Sequence, residues 1–447
     1  MAPYRTRKKA MTIGGSDPSG STGIQADLKA FSSVGVHGAS IITAITAQSP
    51  AGLLASHPLP VEYVGEQLES ILADLAPPFS KVALVCNEEI GTFVAKRLSE
   101  VETSVVIDPV MRTPSGEPLV GPDVIGVYRR RLIPMAALAT PNLDEATAIL
   151  GWEVRTLEDA KKASEDLRGL GAKAVLVTGG HLPGNIAIDV LNTGKTRLFR
   201  AKKLPKMIHG TGAALSALAT AFLAKGKDVP DAVQLAKEQV TAYIRQGYDI
   251  GEGLNVIDVH AGLFNAAEKY RILQEVRRTA RQLETTLRPE IVPEVGTNMA
   301  FAAPNASSVE DVCAIDGRIL RAGTRIVTVG SVDFGVDVPV AQAVLVANER
   351  DHRVRCAMNI KYHLKILEAA RQANMWVGTF DPDDAPDEEA QRIAAWGVGQ
   401  AIKRQGAVPD IVFDEGGHGY EAQIFIFGNT PKEVRGKLKG LLEEVFP

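Results

Sequence analysis

Cysteine is scarce in this sequence: three residues in 447, Cys86, Cys313 and Cys356, lie far apart and form no Cys-x-x-Cys pair. That excludes a disulfide framework and a thiolate zinc site, and it points to a reducing, cytoplasmic compartment. Neither sign of charge dominates, with 49 Lys+Arg against 53 Asp+Glu and a formal net charge of −4, so no global positive field draws in nucleic acid or anionic lipid. No apolar run reaches the roughly 18 residues needed to cross a bilayer. The basic start, Met1-Ala-Pro-Tyr-Arg-Thr-Arg-Lys-Lys, leads into Gly14, Gly15, Ser16 and Asp17 and not into the apolar core of a signal peptide. What is present is a globular composition, 45% hydrophobic and 23% charged, with enough apolar side chain for sizeable cores. Single cores stop growing near ~250–300 residues, so this length implies two or three domains.

From residue 10 to about 262, short β-branched runs (11–13, 39–43, 81–85, 104–107, 174–177) alternate with helical patterns. That rhythm predicts parallel strands with helical crossovers. Several runs end in glycine, proline or polar residues, as at Gly14-Gly15, Asp108-Pro109 and Gly179-Gly180, which puts a binding crevice at the carboxyl ends of the strands. Residues 263–288 are polar, proline-free and helical in spacing, and read as a connecting helix. From Pro289 the chain restarts, with strands expected at 325–329, 343–347, 410–413 and 423–427 and helices at 363–373 and 388–405. The fold class is therefore α/β, in two domains, 10–262 and 289–447.

Two glycine-rich segments carry the chemistry of the first domain. Gly14-Gly15-Ser16-Asp17-Pro18-Ser19-Gly20 follows a strand and precedes a helix, so backbone can approach a small ligand there. His209-Gly210-Thr211-Gly212-Ala213 opens an alanine-rich helix, whose first N–H groups can stabilise charge on a transferring phosphoryl group. Read with Gly23-Ile24-Gln25-Ala26-Asp27-Leu28-Lys29, Thr46-Ala47-Gln48, Asp108-Pro109-Val110-Met111, Thr140-Pro141-Asn142-Leu143-Asp144-Glu145 and Gly179-Gly180-His181, this half closely resembles hydroxymethylpyrimidine (phosphate) kinases of the ribokinase-like superfamily. The resemblance implies a three-layer α/β domain in which Gly15, Asp27 and Gln48 hold the aminopyrimidine. It also implies that Asp108, Thr178 and Gly180 lie by ATP and its phosphates, that Glu145 holds Mg2+ through water, and that Gly210, Thr211, Gly212 and the residue at 213 form the catalytic turn. Relatives of this domain are often dimeric, so a homo-oligomer is expected.

Residues 289 to 446 resemble the thiamine-phosphate synthase domain fused to this kinase in many archaea and some bacteria. The residues that carry this resemblance are Glu294-Val295-Gly296-Thr297-Asn298, Asp316-Gly317-Arg318-Ile319, Met358-Asn359-Ile360-Lys361-Tyr362 and Glu415-Gly416-Gly417. That family joins hydroxymethylpyrimidine pyrophosphate to thiazole phosphate and releases pyrophosphate. Arg318 matches its essential arginine, whose fork suits bidentate phosphate binding, and Asn359 and Lys361 are further contacts to phosphate or pyrimidine.

Four departures stand beside these matches. The family's catalytic turn ends in a Cys that serves as base, where this chain has Ala213; Pro114 and Thr178 replace two lysines of the phosphate region; and Pro339 replaces a histidine of the synthase. An absent general base removes about 10²–10⁴ in rate. The expected function is thiamine biosynthesis, with phosphorylation of hydroxymethylpyrimidine (phosphate) by Mg-ATP followed by coupling to thiazole phosphate. The alternative is a degenerate homologue that binds thiamine precursors as a sensor, buffer or partner subunit.

Overall fold

The computed structural model describes residues 6–113, 116–204, 208–253, 255–389 and 392–446; Pro114, one of the replaced lysine positions, lies outside them. The chain divides into two units, Met1–Leu263 and Phe264–Pro447. In the first, nine strands lie in the order β3-β2-β1-β4-β5-β6-β7-β8-β9. They are β1 (Lys9–Ser16), β2 (His37–Ser49), β3 (Gly52–Pro58), β4 (Phe79–Val82), β5 (Ser104–Ile107), β6 (Ala136–Ala139), β7 (Val175–Val177), β8 (Ile186–Asn192) and β9 (Thr196–Lys202).

The six neighbouring strands β2, β1, β4, β5, β6 and β7 are parallel, as the alternating rhythm predicts. Their residues serve two cores: in β5, Val105 and Ile107 enter one apolar cluster and Val106 the other, because successive side chains leave a strand on opposite faces. Helices cover both faces and make three layers. One of them, Thr211–Ala224, is buried along its whole length from Ala214 onward, as an all-apolar helix must be. At the edges, β3 pairs antiparallel with β2, β8 with β7, and β9 with β8. These three strands are partly exposed and lack the continuous apolar run that marks a buried parallel strand, so the sequence reading passes over them. A short pair, β10 (Ile208–His209) and β11 (Asn255–Val256), stands apart and leads into the alanine-rich helix.

The second unit holds a seven-stranded sheet ordered β14-β13-β12-β15-β18-β17-β16. Its strands are β12 (Met299–Ala302), β13 (Val312–Ala322), β14 (Arg325–Phe334), β15 (Cys356–Lys361), β16 (Val377–Thr379), β17 (Ile411–Phe413) and β18 (Gln423–Gly428). All neighbours are antiparallel except β16 and β17.

Two expectations are corrected here. Residues 343–347 are not a strand but the middle of the helix Pro339–Arg350, whose buried Val340, Ala343, Val344 and Ala347 recur at helical spacing. The connecting helix, Ala261–Thr286, is no free connector: Ile272, Val276, Ala280 and Leu283 are buried in the core of the second unit.

Candidate functional site

In the first unit the chain leaves β1 through a tight turn built around Asp17, which is 2% exposed. Its carboxylate accepts hydrogen bonds from Ser19 N and Oγ and from Thr22 N and Oγ1, at 2.8–2.9 Å. Burial pushes the Asp17 carboxyl up, but these bonds and one from Gln48 outweigh it and hold the group below its ordinary value. Gln48, near the end of β2, donates from Nε2 to Thr22 Oγ1 at 3.0 Å, and its Oε1 has no partner among the described residues. Asp17, Ser19, Ser21, Thr22 and Gln48 line one side of a pocket completed by residues 49, 50, 52 and 53, Thr113 and His209. Gln48 thus lines this pocket. Gly15 is buried beneath the turn, against Leu84, and does not line the pocket.

The turn at Gly210 adjoins this pocket through His209. Gly210 caps the helix Thr211–Ala224 at φ 87°, and a Cβ there would stand 2.5 Å from Ser21 O, so only glycine lets the two turns touch. No side chain caps this helix and no acid stands in its first turn. The first helical bond runs from Ala214 N to Gly210 O, and the N–H groups of Thr211, Gly212 and Ala213 are left for an anion. Gly212 is exposed, with open space beside it.

Asp27 is a correction. It is 1% exposed, accepts from Thr12 Oγ1 at 2.5 Å, and forms an ion pair with Lys81 Nζ at 2.6 Å. Both of its oxygens are engaged inside the protein, and it does not line the pocket of Gln48. Lys81 also contacts Asp108 at 3.2 Å and donates to Ala213 O at 3.1 Å. Ser216 Oγ, on the same helix as Ala213, donates to Asp108 Oδ2 at 2.7 Å. A buried network therefore ties the turn at Gly210 to Asp108. The sequence reading missed Lys81, although a lysine inside an apolar strand is itself a signal, since lysine is almost never fully buried without a partner.

Asp108, Glu145 and Thr178 stand beyond the ends of the adjacent strands β5, β6 and β7. Glu145 closes a capping box with Asn142, its Oε2 accepting from Asn142 N at 2.8 Å. Burial, with the negative charge of Asp108 added, pushes its carboxyl well above the usual range. Thr178 bridges to Asn142 and donates from N to Pro141 O, and Gly180 is exposed just beyond.

In the second unit, Arg318 is exposed on β13 and donates to Val295 O at 2.6 Å. Glu421 holds the same loop by accepting from Glu294 N and Val295 N, and stands 3.9 Å from Lys361 Nζ. Arg318 and Lys361 thus flank one loop. Asn359 is corrected: it is 4% exposed, its Oδ1 accepts from Asn298 N, and its Nδ2 donates to Gly296 O and Gln423 Oε1. Its amide is engaged within the protein and supports the loop. Pro339 begins the helix Pro339–Arg350, and His418 is exposed, with its N–H donating to Asp383 Oδ1.

Asp414, after β17, is fully buried, and its Oδ2 has no partner among the described residues. Burial pushes its carboxyl to about 7, against bonds from Gly416 N and Gln423 N. The folded state then holds this proton more tightly than the unfolded chain does, so stability is full below about pH 4 and falls as pH rises towards 7. Asp414→Asn is expected to flatten that fall in thermal melts of the full chain between pH 4 and 8; an unchanged slope would remove Asp414 as its source.

Residues 17–258 match the family model described as phosphomethylpyrimidine kinase, and residues 275–440 the one described as thiamine-phosphate synthase ThiN. A hydroxymethylpyrimidine/phosphomethylpyrimidine kinase of Streptomyces coelicolor is 37% identical over 258 residues, covering 57% of this chain and 96% of that protein. The thiamine biosynthesis bifunctional protein ThiED of Geobacter sulfurreducens is 35% identical over 255 residues, 56% of this chain and 52% of that one. Among solved structures, the ADP complex of Bacillus subtilis pyridoxal kinase is 33% identical, with a TM-score of 0.55 over 58% of this chain and 99% of that one. No helix among the described residues is long and apolar enough to cross a membrane.

Proposed function

Because the chain belongs to the phosphomethylpyrimidine kinase family over residues 17–258 and continues into a thiamine-phosphate synthase ThiN domain over residues 275–440, we propose that it phosphorylates hydroxymethylpyrimidine or its phosphate with ATP and couples the resulting pyrophosphate to thiazole phosphate. The observation that carries this reading is the pocket of Asp17 and Gln48 directly beside the uncapped turn at Gly210. A hydrogen-bonding pocket selects the pyrimidine, and free N–H groups receive the phosphoryl oxygens.

The residues present suit Mg2+. Asp108 and Glu145 are two neighbouring carboxylates, and Glu145 is held well above its ordinary range by burial and by Asp108; Mg2+ is commonly held by one or two carboxylates together with water and phosphate. Asp108 and Glu145 would hold the ion, which would neutralise charge on the ATP phosphates. In the second unit, Arg318 and Lys361 would bind the pyrophosphate leaving group and the thiazole phosphate. A cytoplasmic homo-oligomer belongs to the same reading, and light scattering on the purified chain tests the assembly. Ala213, Thr178 and Pro339 favour a second reading, a binder of thiamine precursors without turnover.

The deciding experiment supplies hydroxymethylpyrimidine and Mg-ATP, then thiazole phosphate, and follows ADP and thiamine phosphate. Product from both steps supports the bifunctional enzyme; pyrimidine binding without ADP supports the binder. Gln48→Ala is expected to raise the KM for the pyrimidine by roughly 10–100-fold while leaving that for ATP in place, the loss of a hydrogen bond to a partner held in a pocket being worth about 1.5–3 kcal/mol. An unchanged pyrimidine KM would place the substrate elsewhere.

A further inference from the structure

Position 213 carries a methyl group where a proton acceptor is needed, so the substrate hydroxyl must lose its proton to some other group. Among the side chains that line the pocket, the serines, threonines and Gln48 are not bases at neutral pH. Asp17 accepts bonds from Ser19, Thr22 and Gln48, and these hold it ionised and poorly basic. One nitrogen remains.

His209 lies on β10, 7% exposed, immediately before the Gly210 turn, and lines the same pocket as Gln48. Its Nε2 stands 3.3 Å from Pro50 O. A carbonyl oxygen only accepts, so the proton of the neutral ring is on Nε2, and Nδ1 is the basic nitrogen. That Nδ1 has no partner among the described residues and is not sealed in the interior, unlike Nδ1 of His363. The imidazole is thus held by one nitrogen with the other free, the arrangement in which a third group orients a general base.

We propose that His209 is the general base of the phosphoryl transfer, acting through Nδ1 in place of the side chain absent at Ala213; this rests on the kinase reading of the first unit. The substrate hydroxyl oxygen bonds to the γ-phosphorus as its proton passes to Nδ1. The bond between that phosphorus and the β–γ bridging oxygen breaks, and its electron pair leaves with ADP. The N–H groups of the Gly210 turn face the charge that develops on the phosphoryl oxygens.

Two variants test this on the full chain with hydroxymethylpyrimidine and Mg-ATP. His209→Ala should lower kcat at least about 100-fold, within the range a positioned base supplies, with pyrimidine affinity by calorimetry unchanged within threefold, and added imidazole should restore at least tenfold of the lost rate. His209→Gln keeps an amide donor for Pro50 O but cannot accept a proton, and should be as slow. Turnover within threefold of the parent in either variant overturns the assignment and leaves the kinase reading intact. Loss of pyrimidine binding, or loss of rate without imidazole rescue, makes His209 structural and also overturns it. A parent chain that binds pyrimidine but releases no ADP overturns the kinase reading and this proposal with it.

Discussion

Replacing Lys81 with methionine is expected to lower the stability of the first unit by about 3–5 kcal/mol, because it leaves Asp27 and Asp108 buried without their shared cation. Lys81 is 1% exposed and reaches both carboxylates, at 2.6 and 3.2 Å. Burial acts against its charge, but the two neighbouring carboxylates keep it protonated. In a unit of this size the loss corresponds to roughly 6–20 °C in melting temperature, and scanning calorimetry of the full chain would read it directly. Asp27→Asn in the same background removes one uncompensated charge and is expected to recover part of the loss, an interaction that a double-mutant cycle isolates. A shift of less than 2 °C for Lys81→Met would mean that the network contributes little. The same side chain also donates to Ala213 O in the first turn of the helix Thr211–Ala224.

Arg318→Ala is expected to reduce thiamine phosphate formation by about 10²–10³, the range seen when one preorganised donor to a developing anion is removed, with the melting temperature unchanged within 2 °C. The two parts separate because Arg318 is exposed and its side chain hydrogen-bonds, among the described residues, to Val295 O, while the fold around it is held from beneath by Asn298, Asn359 and Gln423. The surrounding glycines fix where the side chain stands: a Cβ at Gly317 would run into Val329 O, and one at Gly330 into Asp316 O. Arg318→Lys should recover only part of the rate, because an ammonium cannot form the two parallel bonds of the guanidinium. Coupling assays with preformed pyrimidine pyrophosphate isolate this step from the kinase. An Arg318→Ala rate within threefold of the parent would take Arg318 out of the site.

The central strands were legible because they are buried on both faces, which requires continuous runs such as 104–107. The strand assigned to 343–347 went wrong for a related reason: Ala343-Val-Leu-Val-Ala347 is a short apolar run, and such a run does not distinguish a strand from one side of a helix. The partly exposed edge strands β3, β8 and β9 carried no such run at all.

Composition, motif order and glycine placement were enough to read two α/β domains and the resemblance over both. They did not reveal the burial of Asp27 and Asn359, because a carboxylate or amide in a motif looks the same whether it faces a ligand or another side chain. Burial decided that. Asp27 meets Lys81 across 54 residues of sequence and Asn359 meets Gln423 across 64, and removing each polar group from water required a partner that only the folded chain could bring within reach.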